Sequence, residues 1–233
     1  MKATEAPTAI GPQAYVGWRA TALGAITEAI EHRLLLDMIG AGPGVRFLDA
    51  GCGDGALVRA IAARGAEATG VDPDPAMLGS ARSRAETAGI RATFLYGSVQ
   101  RLPFPDATFD VVASVTVLCF VADAPRAIRE MARVLRPDGQ LVLGELGRWS
   151  FWAALRRVRG WLGSRTWKAA RFRTSGELRA LAEQAGLSVM LVRGAVYYPP
   201  AGLAARVMAP FDSWLGRLST IGAAFIAVRA VKR

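Results

Sequence analysis

The 233-residue chain reads as an α/β protein built on a doubly wound, mainly parallel sheet. Three observations carry that reading. Short apolar runs alternate with helical ones from residue 45 onward, the pattern of βα units whose sheet is covered on both faces. The first run, residues 45–50, contains Asp49 near its end. It enters a turn with glycine at alternate positions, Gly51, Gly53 and Gly55, ahead of a helical stretch. The second run ends in Asp72, about 20 residues past the glycine turn, where an acid is placed to accept hydrogen bonds from a ribose diol.

Each element follows from local signals. Residues 1–13 are expected to fray. A helix is expected over 14–39, closed by Gly40-Ala-Gly-Pro-Gly44. It carries Tyr15, Trp18 and the only histidine, His32, which reads as a packing residue. Next come strand 45–50, helix 55–65, strand 67–71, helix 74–87 and strand 91–96. Asp74 can cap the helix that Pro73 and Pro75 introduce, and Gly89 ends it. A nearly all-apolar strand follows at 111–115, then helix 123–135, which stops at Arg136-Pro-Asp-Gly139. Strand 140–146, helix 175–185, strand 187–192 and a last strand over 223–230 complete the alternation. Residues 194–220, with Tyr197-Tyr-Pro-Pro200 and a short helix, read as a lid-like insertion. One domain over 1–233 is expected: a cover helix (14–40), a cofactor-binding core (45–147) and a C-terminal part (148–233).

Charge is unevenly spread. Lys and Arg total 29 against 19 acids, a formal net charge of +10. Residues 148–173 hold Arg148, Arg156, Arg157, Arg159, Arg165, Lys168, Arg171 and Arg173, no acid, and Trp149, Trp152, Trp161 and Trp167. If 149–163 is helical, Phe151, Leu155, Val158 and Leu162 form the packed stripe. Trp149, Trp152, Arg156 and Arg159 then lie opposite. That face is expected to meet an anionic membrane surface, to close over a hydrophobic substrate, or to stack Arg on Trp against the domain. Cys52 and Cys119 form neither a disulfide framework nor a zinc spacing, and no metal site is expected. The start of the chain has no apolar signal core, and no stretch approaches the ~20 apolar residues of a membrane span. A cytoplasmic protein, peripheral to the inner face of the membrane through the Arg/Trp segment, is the expectation.

The glycine spacing is G-x-G-x-G, whereas a dinucleotide loop is G-x-G-x-x-G. Asp49 and Asp54 flank it, which repels a pyrophosphate and suits a ligand with an ammonium and a sulfonium: S-adenosylmethionine. With Leu48-Asp-Ala-Gly-Cys-Gly-Asp-Gly55 stand three further blocks in order: Gly70-Val-Asp-Pro-Asp-Pro-Ala-Met-Leu78, Leu102-Pro-Phe-Pro-Asp-Ala-Thr-Phe-Asp-Val-Val112 and Ala132-Arg-Val-Leu-Arg-Pro-Asp-Gly-Gln-Leu141. On these blocks the chain resembles the class I S-adenosylmethionine-dependent methyltransferases, in the subgroup related to ubiquinone and menaquinone-biosynthesis enzymes. The resemblance implies a Rossmann-like seven-stranded sheet with its last strand antiparallel. It implies Gly51 and Gly53 at the methionine part with Asp49 and Ala50 nearby, Asp72 at the ribose hydroxyls, Met77 on the adenine, and Pro73 within the cofactor set. Ser98 and Val99 would meet the adenine amino edge, with Val115, Tyr15 and Trp18 completing the cofactor set. Two departures stand out: Ser98 where many relatives have Asp, and Cys119 where relatives often have His or Glu.

Around the methyl group, Tyr15, Thr116 and Glu145 are expected to act in catalysis, with Glu145 either a base or an ion-pair partner of Arg148. Cys119, Arg148, Trp149 and Tyr197 are expected toward the acceptor, Cys119 as a small apolar group. The acceptor is expected to be small and hydrophobic or amphipathic. A nucleic-acid methyltransferase is disfavoured: the charge suits phosphate, but the Asp/Asn-Pro-Pro-Tyr/Phe and Pro-Cys motifs are missing. A non-catalytic S-adenosylmethionine-binding module, with the Arg/Trp face as partner site, is the other alternative. Oligomeric state leaves no mark in the sequence.

Overall fold

The computed structural model describes residues 17–233. Tyr15 and the frayed start expected over 1–13 lie outside them. The helices are α1 (Ala22–Ile39), α2 (Ala56–Ala62), α3 (Pro75–Thr87), α4 (Ala124–Val134), α5 (Phe151–Trp161), α6 (Arg165–Ala169), α7 (Ser175–Gln184) and α8 (Gly202–Leu218). The strands are β1 (Arg46–Ala50), β2 (Glu67–Asp72), β3 (Thr93–Tyr96), β4 (Phe109–Val115), β5 (Leu135–Leu146), β6 (Leu187–Ala195) and β7 (Phe225–Lys232).

The strands form one seven-stranded sheet in the order β3-β2-β1-β4-β5-β7-β6, with β7 antiparallel to both neighbours. The order reverses between β1 and β4, which pair in parallel from Phe47↔Val111 to Asp49↔Ala113. In such sheets the crevice at that reversal, beyond the carboxyl ends of the strands, is the ligand site. Strand alternation feeds two cores. Phe47, Val111, Ala113 and Phe225 face a layer built with α1, α2, α3 and α8, while Leu48, Val112, Leu143 and Val228 face a layer built with α4 and α7.

The signals read locally are visible at the caps. Asp74 accepts from Ala76 N–H at 2.8 Å at the start of α3, and Asp123 accepts from Arg126 N–H at 2.9 Å at the start of α4. Thr174 and Glu177 close a capping box on α7.

Several boundaries differ from expectation. The first helix does not run through: Thr21 caps α1 by accepting from Gly24 N–H at 3.0 Å, and a Cβ on Gly24 would lie 2.0 Å from the Trp18 carbonyl oxygen. Hydrogen bonding at Thr21 thus breaks a pattern that apolar periodicity alone carries through. The Arg136-Pro-Asp-Gly139 turn is instead an irregular part of β5, where the register with β4 shifts between Phe109 and Val111. The helix in the C-terminal insertion is long, 17 residues, despite Pro210 within it. Its Asp212 is 2 % exposed and accepts from the N–H groups of Val196 and Tyr197, both at 3.0 Å, pinning α8 to the end of β6.

The largest correction concerns α5. Its stripe of Phe151, Leu155, Val158 and Leu162 is exposed, and on the opposite face Trp152 is buried and Arg156 half-buried while Trp149 and Arg159 are exposed. Trp152 is 7 % exposed and donates its indole N–H to the Tyr198 carbonyl at 2.9 Å. The Arg156 guanidinium lies over the rings of Trp152 and Trp167, at 5.2 and 4.8 Å from their centroids. The Arg–Trp stacking expected on that face is formed. The stripe rule gives the spacing of a face. Here a buried tryptophan with a waiting carbonyl decides which face turns inward.

Candidate cofactor and acceptor site

The glycine turn after β1 needs its glycines for two different reasons. Gly51, Gly53 and Gly55 all have positive φ, at 92°, 51° and 72°. At Gly51 an added Cβ would come 2.3 Å from Val117 Cγ2, and at Gly55 it would strike Phe94 at 2.7 Å, so both are spaces the fold has already used. At Gly53 nothing lies within 4 Å, which leaves the loop open on that side. The loop is tied to β2: Gly51 and Cys52 N–H donate to the Val71 carbonyl at 2.7 and 2.9 Å. Gly53 N–H donates to Asp72 Oδ2 at 2.9 Å.

Asp72 also accepts from Asp74 N–H through Oδ1 at 2.9 Å. Each carboxylate oxygen therefore keeps a second acceptor direction, which is what two adjacent hydroxyls require. Burial raises its proton affinity, and the two backbone donors pull it back. Asp49 differs. It is 3 % exposed, and its Oδ1 is buried without a hydrogen-bond partner. Burial first, then the charges of Asp72 and Asp54, push its pKa up to about 8. A buried, unpaired carboxylate beside two others is costly unless something cationic arrives. Asp54 is not available for that purpose, contrary to its reading as a ligand-facing charge. It pairs with Arg19 at 2.7 Å and Arg84 at 3.2 Å.

Arg19, which sequence reasoning missed, also pairs with Glu28 at 2.7 Å. It straps the segment ahead of α1 onto the glycine loop. Trp18 packs on the core from that same segment. Ser114, also missed, donates its hydroxyl to the Ala50 carbonyl at 2.9 Å and joins β1 to β4 at the crevice. Pro73 and Met77 stand at the start of α3 and are half-buried, and Val99 is buried after β3. The Ser98 hydroxyl accepts from Gln100 N–H at 3.3 Å, within its own turn. Val115 closes β4. Thr116 then takes φ 53°, rare for a β-branched residue and a cost of about 1–3 kcal/mol. Its N–H reaches the Gly144 carbonyl at 2.7 Å, and this bend sets Val117 against Gly51.

Four expectations around the methyl group and the acceptor need correction, at Glu145, Arg148, Tyr197 and Trp149, while Cys119 packs as the small apolar group expected. Glu145 is fully buried, and its oxygens accept from Val117, Leu118 and Cys119 N–H at 3.2, 2.8 and 3.1 Å. It braces the turn after β4. Its expected partner Arg148 pairs with Glu177 at 2.8 Å instead. Cys119 is fully buried with Leu146, Ala153 and Phe172, and burial pushes its thiol pKa well up. Its packing, not its reactivity, is used. The Tyr197 hydroxyl donates to the Ser219 carbonyl and anchors the end of α8; burial raises its pKa to about 12. Trp149 is exposed, and its carbonyl holds Gly222 N–H at 2.9 Å.

A different group gathers where α1, α5 and α8 meet. The Thr27 and Tyr198 hydroxyls are 2.9 Å apart. Glu31, one turn on from Thr27 on α1, has a pKa raised to about 7 by burial, against the opposing charge of Arg156. His32 has its pKa lowered by burial, in keeping with a packing role.

Comparison with known proteins agrees with this geometry. The Methyltransferase domain family model matches residues 48–143, the span from β1 into β5. The chain is 32 % identical to a ubiquinone biosynthesis O-methyltransferase of a Methylobacterium species, over 71 % of this chain and 70 % of that one. This protein is a class I S-adenosylmethionine-dependent methyltransferase. A second such relative, from Azorhizobium caulinodans, is 34 % identical over 68 % of this methyltransferase and 65 % of its own length, so the match spans just under two thirds of that protein. Among solved structures, a Thermotoga maritima methyltransferase described as a possible histamine N-methyltransferase superposes with a TM-score of 0.73 at 25 % identity, covering 94 % of each chain. The cofactor of this family fits the residues present: the methyltransferase offers an orphaned carboxylate at Asp49 for an ammonium, an open loop at Gly53, and spare acceptor directions on Asp72.

Proposed function

We propose that the chain is one methyltransferase domain that transfers a methyl group to a hydroxyl of a small, hydrophobic or amphipathic acceptor, of phenol or quinol type, by in-line displacement. The observation that carries this is the unpartnered Asp49 carboxylate beside the open glycine turn. The O-methyltransferase relatives support oxygen as the acceptor atom. Bound S-adenosylmethionine supplies an activated methyl group with a sulfur leaving group. The protein's task is then alignment, which is worth about 7–11 kcal/mol when reacting atoms are held in line. Asp49 holds the ammonium end, Asp72 the ribose, and Gly51 and Gly53 give close backbone approach. Met77, Ser98 and Val99 border the adenine, with Ala50, Pro73, Val115 and Trp18 filling around it. Thr116 shapes the floor at the methyl. The acceptor proton is assigned to Glu31, half-buried where α1, α5 and α8 meet and with its pKa raised to about 7 by burial. Conversion of S-adenosylmethionine to S-adenosylhomocysteine against a panel of quinols, phenols, lipid amines and thiols tests the reading. Turnover with phenols or quinols supports it, and turnover with amines alone overturns it.

A peripheral membrane contact is proposed with it, on a different face from that expected. No helix among the described residues is long and apolar enough to cross a membrane. Yet α8 exposes Leu203, Val207, Phe211, Trp214 and Leu218 on one stripe, and α5 exposes Phe151, Leu155, Val158 and Leu162. Arg206 and Arg217 are exposed on α8, and Arg159 on α5. Apolar stripes flanked by arginine suit an anionic bilayer surface. Sedimentation with phosphatidylglycerol vesicles should retain the wild type and release Phe211→Asp; equal, negligible binding to anionic and neutral vesicles excludes the contact.

A further inference from the structure

We infer a second ligand site, for a phosphorylated or pyrophosphorylated small molecule, in a cavity of about 780 Å³ between α5, α6, α7 and the start of α4. Among the described residues its wall carries five cationic side chains, Arg148, Arg157, Lys168, Arg171 and Arg173, and one carboxylate, Glu177. Glu177 is already committed. It pairs with Arg148 and accepts from Thr174 N–H at 2.7 Å. Arg157 donates to the Arg148 carbonyl at 3.2 Å and lies over the Phe172 ring at 5.2 Å. Arg171 reaches the Ala122 carbonyl at 3.4 Å. None of these contacts neutralises a charge except the single pair at Glu177.

Arg173 is the decisive residue. It is 8 % exposed, and its Nη1 is buried without a hydrogen-bond partner. Glu145 lies near enough to feel the Arg173 charge, which lowers its proton affinity, but spends its oxygens on three backbone N–H groups and forms no hydrogen bond with Arg173. The backbone of Arg173 is clamped, with its N–H on the Leu146 carbonyl at 3.0 Å and its carbonyl on Arg148 N–H at 2.9 Å. A guanidinium that only balanced the surface charge would turn to water, and a structural one would be paired. This one is held inside, unsatisfied, on the wall of an open space.

The chemistry of the wall selects the ligand. Guanidinium forks bind phosphate oxygens in pairs. The surplus of four positive charges, five against one, exceeds what one carboxylate neutralises. Trp161 and Trp167 line the same cavity, and their rings suit an aromatic or apolar group attached to the phosphate. None of the residues assigned to the methyl donor lines this cavity, so the site stands apart from the cofactor crevice. Arg148 alone is shared with the acceptor-side expectations.

Isothermal titration of the full chain with pyrophosphate and with phenyl phosphate, against potassium chloride at matched ionic strength, tests the site. One binding event per chain is expected. Arg173→Gln and the exposed Arg171→Gln should each weaken it about tenfold or more, with S-adenosylhomocysteine binding unchanged. The second variant keeps the test decisive if the first disturbs folding. Absence of binding at millimolar concentrations, or binding unaltered in Arg171→Gln, overturns the site. Binding to phosphatidylglycerol vesicles with both soluble probes silent also overturns it and assigns these charges to the membrane face. Loss of S-adenosylhomocysteine binding in the wild type would count against the methyltransferase reading alone.

Discussion

Asp49 shows how much a single buried carboxylate can determine. Its pKa of about 8 means that near neutrality it carries a proton until a cation is present. S-adenosylhomocysteine, which also bears an ammonium, should therefore release a proton as it binds at pH 7. Calorimetry in buffers of different ionisation enthalpy reads that proton directly. Asp49→Asn should bind about 10- to 100-fold more weakly, the worth of one charge-assisted hydrogen bond, and should bind without proton release. Glu31 makes the matching acceptor-side prediction. With a pKa of about 7 it should place the rising limb of kcat against pH near neutrality, and Glu31→Gln should flatten that limb while leaving cofactor affinity unchanged. Asp49 and Asp72 were legible in the sequence because an acid at a strand tip needs only local pattern to be found. Glu31 was not. One helix sequence does not show that the charge of Arg156, on a distant helix, will act on it.

Among the elements, the strap ahead of α1 is the device that local pattern hid. Arg19 joins Glu28 and the buried loop carboxylate of Asp54, contacts 9 and 35 residues apart in the chain. Arg19→Ala should loosen the segment over the cofactor loop. A rise of about 5- to 10-fold in the KM for S-adenosylmethionine, with kcat nearly unchanged, is expected from losing one charged hydrogen bond. A fall in kcat with KM unchanged would place Arg19 elsewhere in the cycle. The C-terminal insertion is a comparable case. Its helix, α8, rests on Asp212 and on the Tyr197 hydroxyl, so both residues serve as anchors and neither is free to move with a lid.

For the molecule as a whole, three buried acids set the response to pH. Asp49, Glu31 and Glu145 hold their protons more tightly in the fold than their ordinary values of 3.8, 4.5 and 4.5, with pKa values of about 8, 7 and 7. A raised folded pKa stabilises below the unfolded value and loses that contribution as pH rises through the folded one. The ligand-free protein should thus melt at lower temperature at pH 9 than at pH 6, by about 2–4 °C for each kcal/mol lost. S-adenosylhomocysteine should shrink the difference, because its ammonium favours ionised Asp49. Scanning calorimetry at both pH values, with and without ligand, checks the sign. A higher melting temperature at pH 9 would show that one of these acids gains a partner on ionising.

Sequence pattern alone was enough for the alternation of strands and helices, the glycine turn and the acid at the end of β2, because these arise from propensities and periodicities spanning a few residues. The orientation of α5 and the employment of Glu145, Cys119, Arg148 and Tyr197 were settled by tertiary structure. Their partners lie far away in the chain, as Tyr198 does for Trp152 and Ser219 for Tyr197. A helix with apolar groups on two sides has two ways to pack, and its free energy is decided by which neighbours can satisfy the polar atoms it buries.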